Sequence, residues 1–144
     1  EIYKESDTYE SGSKLETFTI SGYKFGHSIC YDLRFPKLFR YLAKIGSKVI
    51  VIPSAFPFNT GKSHWHTLVR ARAIENGVFI LAPNQCGTNN EKRSTYGHSM
   101  VVNPWGEIVA EAEDKETIIN CEIDLKEVEE IQKSIPVLKH DIDF

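Results

Sequence analysis

The run Lys48-Val49-Ile50-Val51-Ile52, closed by Pro53, constrains this fold more than any other stretch of the chain. It does not alternate between apolar and polar, so a strand made from it presents apolar side chains on both faces and needs cover on both. Val78–Ala82 repeats the pattern. The stretches before each run have helical spacing instead. Pro36 sits where a first turn loses nothing by lacking an N–H. Phe35, Leu38, Phe39, Leu42 and Ala43 then fall on one face, and Gly46 ends the helix. After a loop with Pro57 and Gly61, a second helix is expected with Ser63 as its cap, an inner stripe of Trp65, Leu68, Val69, Arg72 and Ala73, and Gly77 as its stop. Strand, helix, strand, helix, strand from Lys24 to Ala82 defines an α/β architecture of stacked layers.

The flanks are less regular. Residues 1–14 are polar and read as irregular. Leu15–Ile20 and Lys24–Ile29 read as a hairpin about Ser21-Gly22. Farther on, Ser99–Asn103 and Glu107–Ala112 read as antiparallel strands joined by Asn103-Pro104-Trp105-Gly106. Thr117–Ile123 reads as a further strand, with Cys121 in the core. Asp124 and Glu127 have capping-box spacing for a last helix to about Lys133. The tail from Ile135 carries no clear pattern, and there is no internal repeat.

Composition excludes some function classes. The net charge is −3 and the 17 Lys and Arg are scattered, so no basic stripe offers itself to nucleic acid or an anionic membrane. No apolar run approaches the roughly 20 residues of a membrane span. Three widely spaced cysteines are poor material for a disulfide framework; they suit a reducing compartment, and the expected location is cytoplasmic. The chain opens at Glu1 and its single methionine is Met100, which reads as a processed form or a portion of something longer.

The feature most suggestive of chemistry is Cys30, between a buried strand and a helix that opens a few residues later. A sheet would hold such a thiol rigidly at a strand end, with the Tyr31 N–H free to face a developing oxyanion. A thiolate also needs a positive neighbour or a base. On pattern alone the ordinary reading leads, because free cysteines are mostly small buried hydrophobes. Tyr31, Ser54, Ala55 and Phe56 are expected to line a pocket, since loops after strand C-termini gather ligands in α/β folds. Asp32 with Arg34, and Arg72 with Glu75, read as structural ion pairs. His64 and His66, two apart on a helix, face different ways and do not suggest a shared ion. Cys86 reads as a loop residue near the pocket, and His98 as a structural hydrogen-bonding group.

The words of the sequence sharpen this. Cys30-Tyr31-Asp32-Leu33-Arg34-Phe35-Pro36 closely resembles the nucleophile motif of the nitrilase superfamily, the carbon–nitrogen hydrolases. The resemblance continues through Pro53-Ser54-Ala55-Phe56, His64-Trp65 and Arg70-Ala71-Arg72-Ala73-Ile74-Glu75-Asn76. It continues again in Asn84-Gln85-Cys86-Gly87, Tyr96-Gly97-His98-Ser99 and Val102-Asn103-Pro104-Trp105-Gly106. Within the superfamily, Gln85-Cys86-Gly87 with Glu91-Lys92-Arg93 ahead of Tyr96–Val102 looks most like the deaminated-glutathione amidase branch, with the omega-amidase branch second.

The resemblance implies a four-layer αββα sandwich, of which residues 1–144 would be the C-terminal portion. It implies a Glu-Lys-Cys set hydrolysing small linear amides through a thioester. Cys30 matches the nucleophile, and Glu5, in Glu5-Ser6, matches a supporting carboxylate. The general-base glutamate and the lysine have no matching motif here; Lys4 has the wrong surroundings. No metal or organic cofactor is expected, because thiolate and carboxylates suffice for acyl transfer. Expected partners are a small-molecule amide and either further copies of the chain or a missing N-terminal half. The alternative is an inactive fragment or one half of a split hydrolase.

Overall fold

A computed structural model of the chain describes residues 5–90 and 93–142. Lys4, Glu91 and Lys92 lie outside the described residues, and so does the side chain of Glu5; its backbone begins a short 3-10 helix, Glu5–Asp7. A six-stranded mixed sheet runs in the order β1-β2-β3-β4-β7-β8. Its strands are β1 (Glu16–Ile20), β2 (Tyr23–His27), β3 (Val49–Val51), β4 (Phe79–Ala82), β7 (Met100–Val102) and β8 (Ile108–Glu111). The two central pairings, β2 with β3 and β3 with β4, are parallel, while the outer pairings are antiparallel. The expected α/β class therefore holds, and the described residues supply one large sheet with a helical layer on one face.

That layer is α1 (Pro36–Lys44) and α2 (Phe58–Asn76). Phe39, Leu42 and Ala43 of α1 and Trp65, Val69 and Ala73 of α2 pack on Ile50, Ile52, Ile80, Met100 and Val102 in one fully buried cluster. The apolar run of β3 divides as its two-faced pattern requires. Ile50 belongs to this cluster, whereas Val49 points to a smaller one with Phe79, Val101 and Val128 on the opposite face. α3 (Lys126–Ser134) closes the N-terminal ends of the parallel strands. Gln132 Nε2 donates to Asn76 O and Gly77 O, and Lys48 pairs with Glu129. α4 (Val137–His140) adds Leu138 to the larger cluster.

Three expectations need correction. α2 starts at Phe58, directly after Pro57, so Ser63 is an interior residue. Gly61 is no breaker: a Cβ there would stand 2.3 Å from Tyr96 Cβ, so the glycine is what lets Tyr96 lie against the helix. Thr117–Ile123 forms no strand. Among the described residues it pairs with no strand; Ile119 and Ile123 reach the smaller cluster, while Ile118 is 85% exposed and Cys121 is exposed rather than core. Finally Cys86 is not in a loop. It opens β5 (Cys86–Asn90), which pairs with β6 (Arg93–Tyr96) in a separate hairpin.

Candidate active site

Parallel strands put their C-terminal ends on one edge of a sheet, and that edge collects the side chains of interest. Cys30 follows β2, Ser54 follows β3, Asn84 follows β4, and antiparallel β7 begins there just after His98. The Cys30 backbone has φ 43°, a left-handed value uncommon for a residue with a Cβ. Such strain persists where the surroundings over-determine it. Here the Cys30 N–H donates to Pro53 O at 3.0 Å, Ser28 N–H donates to Val51 O, and Asp32 N–H donates to Ile29 O. Cys30 also opens a 3-10 turn, Cys30–Arg34. The thiol is half-buried and packs on the edge of the larger core cluster.

The turn after Cys30 is fixed from two sides. Asp32 Oδ2 accepts from the Ile29 N–H at 2.8 Å, closing the turn on itself. Arg72, buried on α2, donates from Nε to Leu33 O and from Nη1 to Glu75 Oε1 at 2.9 Å. The expected Arg72–Glu75 pair is therefore present. An ion pair at Asp32 or Arg34 is not, among the described residues. Arg34 instead lies over the rings of Tyr31 and Phe56, at 5.8 and 5.5 Å, with both terminal nitrogens 3.4 Å from His64 Nδ1. A guanidinium held face-on by two rings needs no carboxylate to be well placed.

Ser54, Ala55 and Phe56 stand on the neighbouring loop. Ser54 is half-buried, Ala55 exposed and Phe56 buried. The loop hangs on Asn84, which is only 7% exposed. Asn84 Oδ1 accepts from the Phe56 N–H at 2.9 Å, Nδ2 donates to Gly97 O at 2.6 Å, and its own N–H donates to Ser99 Oγ. Sequence reasoning gave Asn84 no role; only its place in a family-like block could have flagged it. Tyr31, by contrast, is 61% exposed, and Ile29 and Phe35 beside it are exposed as well. The thiol thus has large apolar neighbours that the described residues leave exposed.

His64 and His66 turn to different partners. His64 meets Arg34, while His66 Nε2 lies 2.7 Å from Glu111 Oε1. His98 Nδ1 reaches the same oxygen at 2.8 Å. Burial raises the pKa of Glu111, but the hydrogen bonds and charge of the two histidines outweigh it and hold the carboxyl below its ordinary value. This trio was not foreseen. Its members are far apart in sequence, and neither spacing nor local pattern connects them.

A mixed sheet carries a cysteine on a strained turn at the C-terminal edge of its parallel strands, and the chain belongs to the carbon–nitrogen hydrolase family: that family's model matches residues 2–133. Among curated relatives, it is similar to the deaminated glutathione amidase of Synechocystis, with 43% identity over 96% of this chain and 52% of the relative. The human deaminated glutathione amidase is also 43% identical, over 94% of this chain and 42% of its own length. Among solved structures, Saccharomyces cerevisiae Nit3, a member of branch 10 of the nitrilase superfamily, superposes with a TM-score of 0.87 at 41% identity. That match covers 92% of this chain and 49% of Nit3. The chain spans about half the length of the relatives it matches. No helix among the described residues is long and apolar enough to cross a membrane.

Proposed function

We propose that residues 1–144 are the C-terminal, nucleophile-bearing portion of an amidase domain that hydrolyses small linear amides through a thioester at Cys30. The observation that carries this reading is the Cys30 turn itself. Its left-handed backbone is locked by Pro53 O and by a buried arginine on α2, within a sequence that belongs to the family. In the reaction the Cys30 thiolate attacks the amide carbon. The C–N bond breaks as the leaving nitrogen takes a proton, ammonia or an amine departs, and water then cleaves the thioester to the acid.

The Tyr31 N–H is the proposed oxyanion donor. Its neighbours at Cys30 and Asp32 are already committed to Pro53 and Ile29, so the turn aims Tyr31 differently from both. Glu5 is the proposed auxiliary carboxylate. Ser54, Ala55 and Phe56 are the proposed pocket wall, held in place through Asn84. The general-base glutamate and the lysine are assigned to a missing N-terminal half, which would also cover the exposed Ile29, Tyr31 and Phe35. The working form is accordingly an assembly, with that half or with further copies of the chain, in the cytoplasm. The names of the relatives favour deaminated glutathione as substrate.

Ammonia release from a panel of small amides tests this, using the chain alone and the chain joined to the N-terminal half of a relative. Release by the joined protein that is lost in Cys30→Ala and after iodoacetamide treatment is the expected result. Turnover that survives Cys30→Ala overturns the mechanism. No turnover from a well-folded joined protein favours the alternative of an inactive fragment.

A further inference from the structure

Roughly 14 Å along the same sheet edge from Cys30, three strand spacings away, α2, the approach to β7 and the end of β8 bring His66, His98 and Glu111 together. We propose that these three side chains form a binding site for a divalent transition-metal ion of the Zn2+ type. The proposal is independent of the amide chemistry at Cys30.

The donor set is two imidazole nitrogens and one carboxylate oxygen, with all three ligand atoms within 4.8 Å of one another. Imidazole donors select ions such as Zn2+ over Mg2+ or Ca2+, which prefer oxygen. His66 Nε2 and His98 Nδ1 both aim at a single point, now filled by Glu111 Oε1. An ion near that point would sit about 2.0–2.1 Å from each nitrogen, with the carboxylate drawn back to bind from its third side. Glu111 is free to do so, because its side chain is partly exposed at the end of an outer strand. Binding requires each ring to carry its proton on the other nitrogen. That is a tautomer exchange in neutral imidazole and a proton loss in imidazolium.

Both histidines are held ready. His98 has φ 57° and follows Gly97 at φ 71°, two successive left-handed residues. Its carbonyl accepts from Trp65 Nε1 at 2.8 Å, and its N–H donates to Glu113 O. The His98 ring stacks on Tyr96 at 4.3 Å, and His66 meets the edges of both rings. Strain of this kind at a polar residue, over-determined by a buried tryptophan and an aromatic stack, fixes a ligand within the tolerance a metal demands. The three partly exposed side chains leave a fourth position open to water.

The test uses the whole chain with its thiols alkylated, so that cysteine cannot supply ligands. Titration with Zn2+ by calorimetry is expected to give one equivalent bound in the micromolar range or tighter. Co2+ is expected to give ligand-field bands without thiolate charge transfer. Glu111→Gln keeps a carbonyl acceptor for both rings, so the fold survives; it and His66→Gln and His98→Gln should each weaken binding at least tenfold, on the order of what outer-shell changes alone produce. A second readout needs no variant. Zn2+ should protect His66 and His98 from diethyl pyrocarbonate while His27, His64 and His140 still react. Uptake only at millimolar ion, uptake indifferent to the three substitutions, or protection of other histidines would overturn the site.

Discussion

The two faces of the six-stranded sheet are finished to different degrees. The face under α1 and α2 is a closed core, in which Trp65, Phe39, Leu42, Ile50, Ile52 and Ile80 are all fully buried. On the other face Val49, Phe79 and Val101 are buried beneath Val128, but Phe25 and Leu81 are only partly covered and Phe18 is 41% exposed. One chain writes both faces with apolar residues, yet lays α1 and α2 along one and only the Val128 side of α3 against the other. Stability therefore resides on the helical face, while the second face is competent to receive more protein. The Cys30 turn is built from the finished side, through Arg72 and the loop held by Asn84, although the apolar residues around it await cover.

Hollowing the finished face has the largest expected effect. Trp65→Ala removes a fully buried ring that packs at a tilt against Phe56, 4.8 Å between centroids, and anchors His98 O. A loss of about 3–5 kcal/mol is expected, enough to unfold a marginal chain, as read by urea denaturation. Asn84→Ala comes next. It strips the buried Phe56 N–H and Gly97 O of their partners, an expected loss of about 1–3 kcal/mol. Because the same bonds position the loop beside Cys30, alkylation of Cys30 should change rate in this variant even under conditions where it stays folded. An unchanged rate would detach the loop from the site.

Gly61→Ala tests the same face through backbone approach. In an open helix this change would favour the fold by about 1 kcal/mol. Against Tyr96, where the new Cβ would stand 2.3 Å from Cβ and 2.5 Å from Cγ, the sign reverses and a loss of about 1–3 kcal/mol is expected. A stabilised variant in thermal unfolding would mean that β6 does not rest on α2.

Gly61 also marks where sequence reading stops. The strands β3 and β4 and the stripes of α1 and α2 were legible, apart from Phe35, which caps α1 and is exposed, because burial imposes periods of two faces or of 3.6 residues, and both periods are local. Gly61 read as a loop residue because nothing local announces Tyr96, 35 positions on in the sequence. The β5–β6 hairpin was missed for the converse reason: Thr88-Asn89-Asn90 and Arg93-Ser94-Thr95 lack an apolar face to give a period. Thr117–Ile123 has strand composition, but a strand needs a hydrogen-bonding neighbour and this segment has none among the described residues. The candidate site divided similarly. Cys30 and its turn stand within one contiguous motif and could be read. The cluster of His66, His98 and Glu111 is assembled by three elements and could not.

The smallest expected effect is the most informative about the second face. Phe18 of β1 stands opposite Phe25 of β2 and stacks on it at 5.3 Å, pointing to the thinly covered side. A residue that is 41% exposed contributes little to the isolated chain, so Phe18→Ser should shift its unfolding free energy by less than about 1 kcal/mol. If the second face receives an N-terminal half, the same substitution removes apolar area from that contact and leaves a hydroxyl facing it. Half-saturation of the wild-type chain by a separately expressed N-terminal half of a relative, followed by tryptophan fluorescence, should then move to several-fold higher concentration in the variant. A large loss of stability in the isolated chain would show that β1 already belongs to a finished core. An unchanged binding curve would show that the partner docks elsewhere, and the difference between the faces would be one of exposure alone.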